Sequence, residues 1–278
     1  MEGPPHLQDW VEMRATAIDG VRVLRAHFVE HKFDRHSHEG WSIGVTFDGR
    51  QTFRSRGVTK TSRRGNVVVL HPDEAHDGHG EDAEGFRYAI FYIPETVVSS
   101  WLREAGGHAG RGLFREATLP DAASAEALAR AVRACLQGGE SLRGATLLSS
   151  AVLCLFERHA QHRPHELVRG SSPPWLARVR EYLEANYAED VRVEALACVA
   201  GVSRVHLTRA FVRAYGLPPH EMLNGIRLRA AERLLLRGVP IALAAVDTGF
   251  TDQSHLTRRF KGSLGITPAK WLRAARRS

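Results

Sequence analysis

Two short strings in the last third of the chain carry the same side chains in the same order: His206-Leu207-Thr208-Arg209-Ala210-Phe211 and His255-Leu256-Thr257-Arg258-Arg259-Phe260. In each, a Leu and a Phe stand four apart and share one face of a helix. Arg204, Val205, Thr208 and Arg209 fall on the other side of the first string, and Gln253, Ser254, His255, Arg258 and Arg259 on the other side of the second. Arg, Gln, Ser and Thr hydrogen-bond base edges and phosphate oxygens. One such helix is as well explained by a solvated charged face, but two at a fixed spacing are not. A second set of reactive side chains lies near the start: His36 and His38, two apart, and His76. Three imidazoles can ligate Zn²⁺ or Fe²⁺, or they can line a small-molecule pocket.

The basic strings need elements that present them, and the sequence repeats those as well. Gly216, Leu217, Pro219 and Leu223 recur as Gly265, Ile266, Pro268 and Leu272, while Ala197 and Gly201 recur as Ala245 and Gly249. An internal repeat outranks any single motif. Each copy reads as a short helix, a Gly turn and a second helix. Ser203 and Asp252 are placed to cap the second helix, and a turn this short brings the two helices close. An exposed basic helix after such a turn is the layout of a recognition helix. Between the copies, Leu223, Ile226, Ala230 and Leu234 recur at helical spacing from Pro219 to Arg237, with Gly238 as the stop. That helix spans roughly 25–28 Å and could hold two reading helices about one turn of DNA, roughly 34 Å, apart.

Charge agrees. From Trp175 onward there are 17 Lys and Arg against 9 Asp and Glu, which leaves 21 against 22 in the rest, so all of the net +7 sits in the repeat. That is the footprint of a polyanion partner, double-stranded DNA. By type and position, Arg209 and Arg258 suit base edges, whereas Arg213 and Lys261 suit phosphate. Cys135, Cys154 and Cys198 are scattered and odd in number, without zinc spacing, which suits buried thiols in a reducing compartment. No leader or membrane-spanning run is visible, so a cytoplasmic location and no membrane partner are expected.

The string Gly249-Phe250, Asp252, Ser254, Arg258, Phe260-Lys261, Gly265, Thr267-Pro268 resembles the C-terminal signature of the AraC family of bacterial transcription regulators. The resemblance covers about 100 residues, from Trp175 to the end. It implies a seven-helix DNA-binding domain, major-groove contacts from Arg204, Val205, Thr208, Arg209, Gln253, Ser254, His255 and Arg258, and RNA polymerase as a further partner.

Upstream, the runs Val21–Phe28, Trp41–Phe47, Val67–Leu70 and Phe86–Ile93 are rich in β-branched and aromatic residues and separated by turn clusters. The fold class expected is α+β: a small β-barrel or jelly roll with flanking helices, then an all-α domain of two helix-turn-helix units. His36-Ser37-His38 and the string from Gly65 to His76 look like the cupin-like sensor domain of many AraC-family members. This implies a small-molecule effector, and His38, Trp41, His76, Arg87 and Tyr88 are the pocket candidates by their aromatic and polar convergence. A metal-binding cupin would place a Glu a few residues after the His pair. Ser42 and Ile43 occupy that stretch and Glu39 follows too soon, so no metal or other cofactor is expected. Helical periodicity returns over 95–105, 122–137 and 142–158, and in the family such helices form a homodimer seam. Residues 1–160 are then the effector-binding and dimerisation domain, 161–174 a Pro- and Ser-rich linker, and 175–278 the DNA-binding domain. No catalytic constellation is present, and an activator without enzymatic activity is expected. The alternatives are a metal-binding cupin enzyme or metal sensor fused to a DNA-binding module, and an architectural DNA binder without effector.

Overall fold

The computed structural model describes residues 8–106, 113–137, 141–161 and 173–275. The expected linker therefore falls almost wholly outside the described residues. The first half is built on β1 (Trp10–Ala15), β2 (Arg22–Phe28), β3 (Lys32–His36), β4 (Trp41–Asp48), β5 (Arg50–Ser55), β6 (Val58–Arg63), β7 (Val67–Leu70), β8 (His76–Gly80) and β9 (Phe86–Ile93). Helix α1 (Glu95–Glu104), short strands β10 (Leu113–Phe114) and β11 (Thr118–Leu119), helices α2 (Ala122–Gln137) and α3 (Ser141–His159), and β12 (Ala160–Gln161) follow. The second half is helical: α4 (Pro174–Ala185), α5 (Val193–Ala200), α6 (Arg204–Tyr215), α7 (Pro219–Leu236), α8 (Ile241–Asp247), α9 (Gln253–Leu264) and α10 (Pro268–Ala275).

Six strands form one sheet in the order β1-β2-β9-β4-β7-β11, and four form another in the order β3-β8-β5-β6. No strand of one sheet pairs with a strand of the other, so both stay open. This corrects the expected closed β-barrel or jelly roll; what stands is a sheet-rich half followed by an all-helical half. Closing a sheet requires its edge strands to find each other. Here α10 packs against edge strand β1, and the opposite edge, β11, is two residues long. A covered edge and a very short one need no partner strand.

The two sheets face each other, with Phe53 of β5 meeting Val68 and Leu70 of β7 between them. The outer face of the larger sheet carries Trp41, Ile43, Val45, Val67, Val69 and Phe91, which pack on Leu128 and Val132 of α2 and Leu148, Val152 and Leu155 of α3. Helix α2 starts at Asp121, whose carboxylate accepts the N–H groups of Ala123 and Ser124. The helical half has two cores. Around α4, α5 and α6, Leu176, Val179, Leu183, Leu196, Leu207 and Phe211 close on Leu223 and Ile226 of α7. The second unit has no such private core: Leu256, Phe260, Ile266 and Trp271 share one cluster with Leu24, Phe28, Phe86 and Ile90 of the larger sheet. No single helix among the described residues is long and apolar enough to cross a membrane.

Candidate nucleic-acid interface and effector cavity

Each helix-turn-helix unit forms as its sequence dictates. In the first, α5 ends at Gly201 with φ 68°, and Ser203 caps α6 by accepting the N–H of His206. The axes of α5 and α6 differ by 82°. In the second, Gly249 has φ 83°, and the Asp252 carboxylate accepts the N–H of His255 at 2.7 Å. Leu207, Phe211, Leu256 and Phe260 are each fully buried, and their burial turns the opposite faces outward. Arg204, Val205 and Arg209 are exposed on α6, with Thr208 half-buried and its hydroxyl donating to the Arg204 carbonyl. Arg204 is steadied by Glu194, 2.8 Å away on α5. On α9, Gln253, Ser254 and Arg258 are exposed and His255 is half-buried, edge-on to Phe250. Burial first, then Arg259 and Arg258, hold the His255 imidazole below its usual range, so it is neutral at physiological pH. All eight residues chosen from the sequence thus lie on the outward sides of the two second helices. Arg213 and Lys261 are exposed as well.

A second site lies between the sheets. Phe33, His36, His38, Gly44, Phe53, Leu70, His76, Tyr88 and Tyr92 line a cavity of about 50 Å³, and Ser263 of α9 reaches its wall. His36 Nδ1 lies 2.6 Å from the Asp34 carbonyl and His76 Nδ1 2.9 Å from the Glu74 carbonyl. A carbonyl only accepts, so both rings carry their proton on Nδ1 and leave Nε2 bare. His38 Nε2 then donates to His36 Nε2 across 3.2 Å. Burial, and next the adjacent His76, push the His36 imidazole down to about 3; burial is also the main cause that lowers His38 and His76. All three are uncharged at neutral pH.

Of the pocket candidates chosen from the sequence, His38, His76 and Tyr88 come together here, and two do not. Trp41 packs on the outer face against Phe114 and Phe156. Arg87 is exposed and bonds Asp48 at 2.8 Å. Glu74, two residues before His76, instead latches the turn after β7 to the end of β5. It accepts from His71 at 2.8 Å, from Arg56 and from Ser55.

What the sequence did not single out is the contact between the halves. Arg22 bonds Glu232 at 2.9 Å and lies 5.3 Å over the Trp271 ring. Arg229 bonds Glu39 at 2.7 Å, Arg180 bonds Asp73 at 2.9 Å, and Arg35 donates to the Gly216 carbonyl. These partners stand more than a hundred positions apart, from 107 for Arg180 and Asp73 to 210 for Arg22 and Glu232, and no local pattern pairs them. Around them lie further cavities, one of about 130 Å³ shared by His36, His38, α7 and α9, and one of about 620 Å³ beside His38, Tyr92, Arg229 and Glu232.

Comparison with known proteins follows this division. The family described as AraC-like ligand binding domain matches residues 20–156, and the family described as Helix-turn-helix domain matches residues 196–274. The chain is 26% identical over 239 residues to the uncharacterized HTH-type transcriptional regulator YbfI of Bacillus subtilis, covering 85% of this chain and 86% of that protein. It is 24% identical over 241 residues to the arabinose operon regulatory protein of Escherichia coli, covering 84% and 80%. An apo ToxT variant from Vibrio cholerae superposes with a TM-score of 0.58 at 14% identity, over 96% of both chains. Wild-type ToxT with bound unsaturated fatty acid gives 0.57 at 14%, over 99% of this chain and 98% of that one. At that identity the ToxT likeness is one of fold.

Together these observations define a DNA-binding transcription regulator, not an enzyme, with a ligand-binding domain ahead of a helix-turn-helix domain. The chain belongs to the AraC family.

Proposed function

We propose that this regulator reads double-stranded DNA in two successive major grooves and that a small molecule bound in the first half modulates it. Residues 1–160 take the effector and form a homodimer, and residues 175–278 read DNA. Arg204, Val205, Thr208 and Arg209 on α6, and Gln253, Ser254, His255 and Arg258 on α9, meet the bases; Arg213 and Lys261 meet phosphate. RNA polymerase is the partner a promoter-bound activator of this kind would touch. One observation carries the effector reading: His38 lines four adjoining cavities, whose walls come from the sheets on one side and from α7 and α9 on the other. A ligand with different affinity for the docked and undocked arrangements must shift the balance between them. ToxT, alike in fold, has been solved with an unsaturated fatty acid bound.

The test starts from selection of an operator by the full chain. Arg258→Ala should lose about 1–3 kcal/mol of discrimination at one or two base pairs. Equal weakening on every sequence would make Arg258 a phosphate contact. Compounds that raise the melting temperature should change operator affinity, and if none does, the effector reading is refuted. A monomer in sedimentation at high concentration would refute the homodimer.

A further inference from the structure

The inter-sheet cavity is far smaller than the roughly 300–1,000 Å³ of a typical organic-ligand pocket, and three histidines crowd it. One ring nitrogen from each of His36, His38 and His76 lies within 4.8 Å of the other two, the one such group of His, Cys, Asp or Glu among the described residues. From these contacts we infer that His36, His38 and His76 form a binding site for a divalent late first-row transition-metal ion of the zinc class. The inference rests on reading these cavities as the effector site, and it names the chemistry of one ligand they take.

Three features carry it. First, the rings are already in the form a metal needs. Ring N–H groups tied to carbonyls, here those of Asp34 and Glu74, are how metal-binding histidines are usually oriented. They leave Nε2 of His36 and His76 unprotonated, that of His36 accepting from His38, and only the His38 proton must move, from Nε2 to Nδ1 or to solvent. Second, the spacing fits. Zinc–nitrogen bonds of about 2.0–2.1 Å in a tetrahedron set the ligand atoms roughly 3.3–3.4 Å apart. His36 Nε2 and His38 Nε2 stand at 3.2 Å, and the widest separation in the group, within 4.8 Å, must close by no more than roughly 1.4 Å. Third, the adjoining cavity holds an unspent carboxylate. Three neutral imidazoles leave a divalent ion uncompensated; Asp34 and Glu221 line that cavity beside Arg35 and Arg259, while Glu232 is already paired with Arg22. Glu221 Oε2 is buried without a hydrogen-bond partner, an arrangement that costs free energy until a cation or donor arrives. Imidazole donors favour zinc, copper, nickel and iron over magnesium or calcium.

The experiment uses the full chain, stripped with a chelator and titrated with Zn²⁺ by calorimetry, and separately with Co²⁺ followed by its visible absorption. One ion per chain is expected, with the strong bands of a low-coordinate cobalt site. His38→Gln is the mildest variant, since that ring's one hydrogen bond goes to His36. His76→Gln is the second, and His79→Gln on the exposed side of β8 is the control. Removing either ligand should weaken binding by at least the roughly 10–100-fold that even outer-sphere partners cost, with no change in His79→Gln. Thermal unfolding of the stripped variants checks that they fold, and the cobalt spectrum of the unaltered chain decides the matter if they do not. Absence of stoichiometric binding, or full affinity retained in both ligand variants, overturns the site. Binding through the triad that leaves operator affinity unaltered upholds the site and counts against its role as effector.

Discussion

Truncating Phe28 to Ala should loosen the DNA-reading half from a position in the ligand-binding half. The ring is 1% exposed and belongs to the cluster that contains Leu256, Phe260 and Trp271. It stands among Phe33, Phe86 and Tyr88, at ring separations of 5.2, 6.1 and 6.2 Å. Its tip meets the residue that ends α9: a Cβ placed on Gly265 would lie 2.5 Å from Phe28 Cζ, so the bare backbone of that cap rests on the ring. A fully buried Phe→Ala change costs about 3–5 kcal/mol. Because the ring fills the seam, much of that loss falls on docking. At about 1.4 kcal/mol per tenfold, the opening equilibrium of the seam should rise by roughly two to three and a half orders of magnitude.

Amide hydrogen exchange reads this directly, since local opening sets local exchange. In the full chain, amides of α9 and α10 should exchange roughly 100-fold faster or more. Those of α5 and α6 should hardly change, because their core is closed by α4 and α7. Acceleration confined to β2, β3 and β9, or spread equally over all helices, would refute the shared seam. The result matters for regulation because Tyr88 lines the inter-sheet cavity while Phe28 touches both Tyr88 and the end of α9.

Two further outcomes follow from the same geometry. Burial alone would raise the Glu74 carboxyl, but hydrogen bonds from His71, Arg56 and Ser55 outweigh it and bring the group down to about 2 from an ordinary 4.5. Its folded pKa is depressed, so its stabilisation, on the order of 3 kcal/mol, is fully present above about pH 4.5 and lost as pH falls toward 2. Acid titration of unfolding should show that loss, and Glu74→Gln should lower stability at pH 7 and flatten the acid slope; an unchanged slope would mean the latch contributes nothing. In the repeat, Gly201→Ala meets open space and bears only the left-handed backbone penalty, about 1–2 kcal/mol. Gly249→Ala adds a Cβ 2.9 Å from the carbonyl oxygens of Tyr187 and Ala188 and should cost clearly more in urea unfolding; equal losses would show that those carbonyls give way.

The helical half was legible because its constraints are local. Leu and Phe four apart fix a face, Ser203 and Asp252 fix a start, and Gly fixes a stop. A side-chain cap is not needed everywhere: α5 begins at Arg192 without one, and Arg192 pairs with Asp190 instead. The sheet half was legible only where strands are apolar. β2, β4, β7 and β9 could be read, but β3, β5, β6 and β8 could not, because KFDRH, RQTFRS, VTKTSR and HDGHG carry too few apolar side chains to mark a strand. The closed barrel was expected because strand composition carries no word about edges; WVEMRA does not say that α10 will lie against it. Trp41 misled for a related reason. Side chains on a strand alternate faces, and Trp41 shares its parity with Ile43, which faces α2 and α3, and not with Gly44, which lines the cavity.

Least legible of all was the difference between two copies that read alike. The first closes its own core, whereas the second borrows a wall from the ligand-binding sheet. The second feels the cavity through an apolar core shared with the sheet, whereas the first meets the sheet half through α7 and through polar contacts such as Arg180 to Asp73 and Arg35 to Gly216. Under the proposed function, an effector that loosens the seam frees α9 and spares α6, so it alters how many grooves the protein holds rather than whether it binds at all. Footprinting on a selected operator should therefore show protection at the α6 half-site with and without effector, and at the α9 half-site in one state only. Protection that appears and vanishes at both half-sites together would place the coupling elsewhere, in the dimer rather than in the seam.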